Sequence, residues 1–303
     1  MRLQSKPEWM LVLCTVIWGG TFPAVKYALK FCSPWLIVAL RFAFAGVLFA
    51  LFLRGAGRYW NRQLLLRGFI LGVFFFAGFG LQTLGLQWTT TSRSAFLTES
   101  LVLFIPLISF AMSRKLPSLF TVAGAILVMA GLYLLTSPAG FIHWNRGDWL
   151  TLGCALAFSL YIIGVDLWST PDTRGLLSAV QAFTVAVLAI PMTLTEGIRW
   201  QAGTGLGLAM AYLVLPGTLI VVMLQMRYQP LTTPSRAGVV FALEPVFAMV
   251  FAVAFAFEEF SRRAAAGAAT VTLGVILSEV GQNLVRAIAA IAARKRLPPV
   301  RGG

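Results

Sequence analysis

Long apolar runs separated by short polar connections form the main pattern of this chain. Ten such runs follow one another, each close to the roughly 20 apolar residues that a helix needs to cross the hydrocarbon core of a membrane. They predict ten membrane-spanning helices, near residues 9–29, 35–53, 66–86, 94–112, 119–136, 149–167, 178–194, 205–228, 237–257 and 264–285.

The composition agrees with this pattern. Hydrophobic residues make up 59% of the 303 positions and charged residues only 11%, with a mean hydropathy of +0.84. These values lie outside the range of soluble globular domains. The sequence therefore predicts an all-α integral membrane protein, with lipids as its surroundings and no room for a soluble domain.

The net charge of +14 bears on orientation. The basic residues are spread among the connections instead of forming one basic face, which argues against a nucleic-acid partner. If the amino terminus is cytoplasmic, most Lys and Arg residues fall in cytoplasmic connections, as the positive-inside rule requires. We therefore expect a multi-pass protein of the cell inner (plasma) membrane with both termini in the cytoplasm.

One short polar phrase occurs twice. TTTSRSA at residues 89–95 returns as TTPSRAG at 232–238, 143 positions later. The same offset pairs Gln82 with Gln225, and it also pairs two glycines of the predicted fifth span with two of the tenth. Polar and glycine matches are harder to obtain by chance in an apolar chain than apolar ones, so they indicate an internal duplication.

The duplication predicts the architecture. Residues 1–142 would form a first five-helix repeat, and 143–303 a second one followed by a short basic cytoplasmic tail. Because five is odd, the second copy enters the membrane inverted. Ten helices in two inverted five-helix repeats are typical of secondary transporters, in which the copies exchange conformations to alternate access between the two sides.

Several segments resemble the EamA-type members of the drug/metabolite transporter superfamily. These are WGGTFPAVKYAL (18–29), PWLIVALRF (34–42), AGAILVMAGLYLL (123–135), AAGAATVTLGVIL (265–277), the ALEP of 242–245 and the FEE of 257–259. Within the superfamily the chain is most similar to YddG-type aromatic amino acid exporters. The resemblance implies export of aromatic and other apolar amino acids. The sequence departs from many relatives at 113–115, where Ser-Arg-Lys replaces a segment with a glutamate.

Acidic and basic groups inside spans are candidates for transport, since each costs about 2.5–3.5 kcal/mol at mid-span. Glu244 precedes Pro245, whose missing amide frees a carbonyl nearby. It is interpreted either as a site for a substrate ammonium or a proton, or as a structural partner of a buried arginine. Glu99 is interpreted in the same way, with hydrogen bonding to a neighbouring helix as its structural alternative. Arg41 is interpreted as bridging helices or snorkelling, or as binding a carboxylate. Glu279, near the end of the last span, is expected at the interface.

Aromatic and amide side chains complete the predicted cavity. Rings within or near facing spans could provide stacking surfaces, although packing and interfacial belts use the same residues. The polar pair matched by the repeat offers hydrogen bonds to a substrate or between helices. The cavity candidates from these two groups are Trp18, Phe22, Phe79, Gln82, Tyr161 and Gln225.

Possible hinges lie in equivalent spans of the two repeats. Gly78 and Gly80 fall in the third span, and Pro216 with Gly217 falls in the eighth. Pro245 adds one in the ninth. Bends at these positions would let a central cavity open and close.

Other functional classes fit less well. An intramembrane enzyme needs a base, a nucleophile or a metal at membrane depth, and the chain has one histidine and no HExxH pattern. Three cysteines form neither a disulfide framework nor a metal spacing. We expect no catalytic residues, no metal and no cofactor. The alternative is an exporter or flippase of lipophilic drugs or lipids. The expected partner is a small-molecule substrate, and a monomer is plausible.

Overall fold

The computed structural model describes residues 6–52, 61–89, 91–114, 116–136, 144–254 and 261–295. Every regular element within these ranges is a helix, and an isolated antiparallel bridge joins Cys32 to Trp200. The predicted boundary at 142/143 and the tail beyond Lys295 lie outside the described residues. So do His143 and the FEE segment of the resemblance.

Fourteen α-helices follow in chain order among the described residues. The first seven are α1 (Lys6–Gly19), α2 (Thr21–Ala28), α3 (Pro34–Phe52), α4 (Arg62–Trp88), α5 (Thr91–Thr98), α6 (Leu101–Ser113) and α7 (Leu119–Thr136). The second seven are α8 (Arg146–Trp168), α9 (Arg174–Glu196), α10 (Thr204–Val214), α11 (Val221–Tyr228), α12 (Pro234–Phe241), α13 (Glu244–Ala254) and α14 (Arg262–Lys295). A π-helical segment (Leu215–Ile220) joins α10 to α11, and a 3₁₀ turn (Gln229–Leu231) follows α11.

Eight stretches of the described residues are long and apolar enough to cross a membrane. They are Pro7–Ala28, Pro34–Leu51, Arg62–Trp88, Arg93–Ser113, Arg146–Trp168, Arg174–Glu196, Thr204–Leu231 and Pro234–Phe251. A shorter apolar helix, Leu119–Leu135, corresponds to the predicted fifth span, and the predicted tenth lies within α14. The protein is therefore a multi-pass α-helical membrane protein, and the count of ten spans stays a prediction.

Polar side chains cap the starts of two long helices, α4 and α8. Asn61 accepts the amide of Leu64 at the start of α4, at 2.7 Å. Asn145 and Asp148 form a reciprocal capping box at the start of α8, in which each side chain accepts the other residue's amide. Such caps satisfy amides that have no partner within the helix.

Two spans are broken at matching positions. Glu99 and Ser100 separate α5 from α6, and Ala242 and Leu243 separate α12 from α13. The helices α5, α6 and α7 each begin 143 residues before α12, α13 and α14. The same order of helices therefore occurs twice, with the breaks in the same place, although hydropathy predicted both spans as continuous.

The last helices of the two halves, α7 and α14, pack closely at glycines. A methyl group at Gly124 would lie 2.7 Å from the carbonyl oxygen of Gly274, and one at Gly131 would lie 2.9 Å from that of Gly267. Residue numbers rise along one helix as they fall along the other, so α7 and α14 are antiparallel. Small residues at both crossings let the backbones approach.

Contacts between the two halves also come in equivalent pairs. Helix α4 of the first half packs on α8 of the second. Their equivalents, α11 of the second half and α1 of the first, pack together as well. Helices α3 and α9, which are equivalent to each other, pack together. Large apolar side chains such as Leu107, Leu119 and Leu208 are exposed on the outside. In a membrane protein that outer surface faces lipid.

The bundle has two ends, each marked by an ion pair. At the end where α4 finishes and α8 begins, Arg93 lies 2.7 Å from Asp148. At the end where α1 begins, Arg236 lies 3.2 Å from Glu8. We call these the Asp148 end and the Glu8 end.

Candidate functional site

A cavity lies between the two halves, bounded by helices of both. It contains about 480 Å³ of space not filled by protein atoms. Its walls are Trp18, Thr21, Phe75, Phe79, Gln82, Thr98, Glu99, Leu101, Phe158, Tyr161, Ile162, Gln225, Phe241 and Glu244. The 480 Å³ includes space that is open to the surroundings of the protein.

Aromatic rings form most of one wall. Phe75 on α4 stacks on Tyr161 of α8, with ring centroids 4.2 Å apart and planes 13° from parallel. Phe79, one turn further along α4, meets Phe75 at 4.7 Å and Phe158 at 5.1 Å, edge to face in both cases. These interlocked rings hold a rigid apolar surface, which suits a flat or apolar ligand.

Glu99 occupies the break between α5 and α6. Its side chain is 1% exposed, and its Oε2 has no hydrogen-bond partner among the described residues. The neighbouring hydroxyl of Thr98 is instead 3.4 Å from the Gln82 amide nitrogen. A helix interruption thus places a carboxyl group in the cavity wall with one oxygen unpartnered among the described residues, which is costly in an apolar interior.

Glu244 is the first residue of α13 in the matching break of the second half. It lies at a helix amino terminus, where a negative charge is favoured, and Pro245 follows without an amide to offer. Glu99 and Glu244 both line the cavity and are close enough to interact electrostatically. The two halves therefore bring two carboxyl groups to one space.

Arg41 lies behind the wall, on α3. Its Nε donates to Thr218 Oγ1 at 2.6 Å, and a terminal nitrogen donates to the carbonyl of Gly217 at 2.9 Å. Its guanidinium carbon lies 4.3 Å from the centre of the Phe79 ring. It is 2% exposed and near enough to interact with Glu244. These contacts hold the guanidinium in the π-helical region, where the freed carbonyls need donors.

Gln225 is fixed by a relay that hydropathy did not predict. Its amide nitrogen donates to Gln229 Oε1 at 2.8 Å, and Gln229 donates to the carbonyl of Ile162 at 2.7 Å. Gln229 is fully buried, and its spacing of four residues from Gln225 was the available signal in the sequence.

Four buried polar atoms of the cavity-lining side chains have no hydrogen-bond partner among the described residues. They are Trp18 Nε1, Glu99 Oε2, Tyr161 Oη and Gln225 Oε1. Buried polar groups are nearly always paired, so each of these is available to a ligand. Together they offer one donor, two acceptors and one hydroxyl that can donate or accept.

Seven of the eight predicted cavity residues lie in this wall: Trp18, Phe79, Gln82, Glu99, Tyr161, Gln225 and Glu244. Phe22 does not. It is buried in a separate apolar cluster with Val25, Leu206 and Leu213. Phe158 and Thr98 belong to the wall and were not predicted, because a phenylalanine or threonine on an apolar helix carries no signal by itself.

The predicted hinges have different surroundings. Helix α4 continues through Gly78 and Gly80, where the Phe158 and Trp35 rings take the place that side chains would occupy. Pro216 and Gly217 lie in the π-helical segment, where a widened turn interrupts the regular helix. Their roles in motion stay predictions.

The side chains of the cavity wall determine which ligands suit it. No group of three metal-ligating side chains occurs among the described residues. The walls combine stacked rings with carboxyl, amide and indole groups, which suit a ligand that has an apolar body and a polar or charged end.

Comparison with known proteins gives the chain its family. The model of the EamA-like transporter family matches residues 5–137 and again residues 145–279. Two uncharacterized transporters of Archaeoglobus fulgidus are similar. One is 33% identical over 267 residues, covering 88% of this chain and 83% of the relative. The other is 25% identical over 277 residues, covering 89% and 98%.

A solved crystal structure has the same fold. Its TM-score is 0.76 at 19% sequence identity, and the match covers 91% of this chain and 99% of the other. That identity supports the fold alone, whereas the two stretches matched by the family model together cover most of this chain. The chain is a member of the EamA-like transporter family and a multi-pass membrane transporter.

Proposed function

We propose that this protein is a secondary transporter that exports small metabolites with an apolar body, aromatic and other apolar amino acids first among them. The cavity between the two halves carries this proposal. Stacked rings such as Phe75 and Tyr161 suit an apolar side chain, and the unpartnered groups of Trp18, Glu99 and Gln225 suit its polar end.

Alternating access is the mechanism that fits this architecture. A family match that occurs twice, at residues 5–137 and 145–279, supports two repeats, and we place the division between them at residues 142/143 as part of the proposal. The antiparallel packing of α7 on α14 supports inversion of the second repeat, because both are the last helices of their halves. Two inverted halves around one site can expose it to either side in turn. The proposal also includes ten membrane spans, an inner-membrane location and both termini on the cytoplasmic side.

Counterflow of labelled phenylalanine and tryptophan in liposomes that contain only the purified protein tests the function. We expect uptake above that of empty liposomes, and its dependence on a pH gradient would separate proton coupling from facilitated diffusion. Absence of uptake by protein that is folded and inserted would contradict amino acid transport and favour lipophilic drugs or lipids.

A further inference from the structure

We propose that the cavity recognises its substrate by an ammonium group and not by a carboxylate, so that carboxylate-free aromatic amines are substrates. This inference rests on the proposed function and narrows its substrate class. It starts from the charges that the two halves bring to the site.

The site has one more acid than base. Glu99 and Glu244 line the cavity, and Arg41 lies behind its wall as the neighbouring cation. In their ionised forms these three groups leave one unbalanced negative charge. A monoamine carries one positive charge and neutralises the site, whereas a zwitterionic amino acid carries no net charge. Burial makes an unbalanced charge costly, so the ammonium ion gains most from entering.

The carboxylates are also the groups that face the ligand. Glu99 Oε2 is buried without a partner, and Glu99 and Glu244 form no ion pair among the described residues. Neither is held by a protein cation at bonding distance. An ammonium group has three donors, and the wall offers three acceptor groups in Glu99, Glu244 and Gln225.

A substrate carboxylate finds no comparable partner. The guanidinium of Arg41 donates to Thr218 and Gly217 and stacks on Phe79, and its side chain is not part of the cavity wall. The unpartnered donors in the described part of the wall are the indole nitrogen of Trp18 and the hydroxyl of Tyr161, and both are neutral. Neutral donors stabilise a carboxylate far less than a bidentate arginine does.

The walls accept the rest of such a molecule. The Phe75, Phe79 and Tyr161 rings line the cavity and offer apolar contact to one aromatic ring. Ring faces also attract cations, which strengthens binding near the ammonium.

Tryptamine, tryptophan and indole-3-propionate test the inference, since they share one ring and differ in the charged groups. Uptake of labelled tryptamine and labelled tryptophan into proteoliposomes is measured side by side, with indole-3-propionate as competitor. We expect the half-saturating concentration of tryptamine to be equal to or lower than that of tryptophan. Indole-3-propionate should compete at least about tenfold more weakly than either.

Glutamine substitutions test whether the two carboxylates bind the ammonium group. Glu99→Gln and Glu244→Gln should each raise the half-saturating tryptamine concentration about tenfold or more, because an amide cannot neutralise an ammonium. Asp172→Asn, in the exposed α8–α9 connection, is the matched control and should leave it unchanged.

The outcomes separate the two proposals. Tryptophan uptake without tryptamine uptake, or unchanged tryptamine affinity in both glutamine variants, overturns ammonium recognition and leaves the proposed function standing. Failure of both compounds to enter overturns the proposed function itself.

A second inference comes from the two ends of the bundle. We infer that the Arg93–Asp148 and Arg236–Glu8 ion pairs are gates that open in turn. The two arginines are 143 residues apart in the repeated TT-x-SR phrase, and each pairs with the first long helix of the other half.

The two ion pairs lie where gates of a central cavity would be needed. Arg93 lies on α5, six residues before Glu99, and Arg236 lies on α12, eight residues before Glu244. Each pair therefore joins the halves between the cavity and one end of the bundle. When two halves rock about a central site, they separate at one end at a time, so only one of these pairs can break in each state.

The two ion pairs differ in how deeply their acidic residues are buried. Asp148 is fully buried and also accepts from the hydroxyl of Thr89 at 3.0 Å, beside Lys26, which donates to the Thr89 carbonyl at 3.1 Å. Glu8 keeps 21% of its side chain exposed. The Asp148 end is thus more tightly closed in this conformation, and the Glu8 end is the one closer to opening.

Thiol cross-linking tests the gates. Arg93→Cys with Asp148→Cys is joined at one end, and Arg236→Cys with Glu8→Cys at the other, by a reducible bifunctional thiol reagent, because the side chains they replace are longer than a disulfide spans. A third substitution, Thr98→Cys, places a thiol in the cavity wall for labelling by a membrane-impermeant maleimide. It is made together with Cys154→Ser, because the Cys154 sulfur lies 4.0 Å from the Thr98 hydroxyl and would pair with the new thiol.

We expect cross-linking of either pair of introduced cysteines to stop uptake, and reduction of the cross-link to restore uptake. With the Asp148 end locked, Thr98→Cys should be labelled only from the side that holds the amino terminus, and with the Glu8 end locked only from the other. Uptake that persists after complete cross-linking, or labelling that ignores which end is locked, would overturn the gate assignment. A purely structural ion pair would give no such change of side.

Discussion

At the scale of single residues, the cavity is set apart by polar atoms whose partners the protein does not supply. Trp18 illustrates this, because its ring packs edge to face on Phe241 at 5.3 Å while its Nε1 stays unpaired among the described residues. Packing accounts for the ring but leaves the nitrogen unexplained. A substrate acceptor accounts for it, and this separates the two roles by experiment.

Trp18→Phe keeps the ring and removes the donor. If Trp18 Nε1 binds substrate, loss of one hydrogen bond worth about 0.5–1.5 kcal/mol should raise the apparent KM for tryptophan uptake about two- to twelvefold. Trp149→Phe, at an exposed position near the start of α8, should leave KM unchanged. An unchanged KM in both variants would assign Trp18 to packing alone.

Thr218 holds Arg41 from within the π-helical segment. Thr218→Val keeps the shape but leaves Arg41 Nε without its acceptor, so we expect a loss of about 1–3 kcal/mol of stability. Thr272→Val is the control, because that exposed hydroxyl donates only to its own helix, to the Ala268 carbonyl. Thermal unfolding in detergent measures both, and an equal effect would show that the Arg41 contact is not stabilising.

At the scale of helices, glycines decide how closely the two halves meet. In α7 and α14 they lie seven residues apart on each helix and face each other in reverse order, so the backbones touch at two places. Apolar attraction between helices is weak inside lipid, which makes such close packing the main source of association.

Gly131→Ala tests this contact. The added methyl group would lie 2.5 Å from the amide nitrogen of Val271, so the helices must separate, and we expect a loss of about 1–3 kcal/mol. Gly207→Ala on α10 has open space around it and should be neutral or stabilising, by up to about 1 kcal/mol. Unfolding temperatures of the purified variants measure the difference, and equal temperatures would contradict close packing at Gly131.

At the scale of the whole molecule, the proposed topology assigns each connection to one side of the membrane. Asp172 lies in the exposed connection at the Glu8 end, and Gln201 lies in the exposed connection at the Asp148 end. We expect Asp172→Cys to be cytoplasmic, like the amino terminus, and Gln201→Cys to lie outside.

A membrane-impermeant maleimide on intact cells distinguishes the two positions. Gln201→Cys should be labelled and Asp172→Cys only after the cells are opened. The unmodified chain is the control, since its three cysteines are buried, and burial raises the pKa of Cys32, in the α2–α3 connection, to about 11 and so suppresses its thiolate. Labelling of both from the same side would contradict the topology.

The sequence by itself determined the features that depend on composition and repetition. Apolar runs predicted a multi-pass helical protein because lipid leaves the backbone no other partner than itself. The TT-x-SR repeat predicted matching halves, and the charge of Glu99 and Glu244 inside apolar runs marked them as unusual, because burying such groups is expensive wherever they lie.

Only the tertiary structure decided which of these residues meet. It brings Glu99 and Glu244 to one cavity through two matching helix breaks, and it places Phe22 in another cluster although its side chain is as apolar as that of Phe79. Hydropathy averages over a whole helix and contains no information about which face meets which neighbour. That choice depends on packing between segments far apart in the chain, and so do the gates at the two ends.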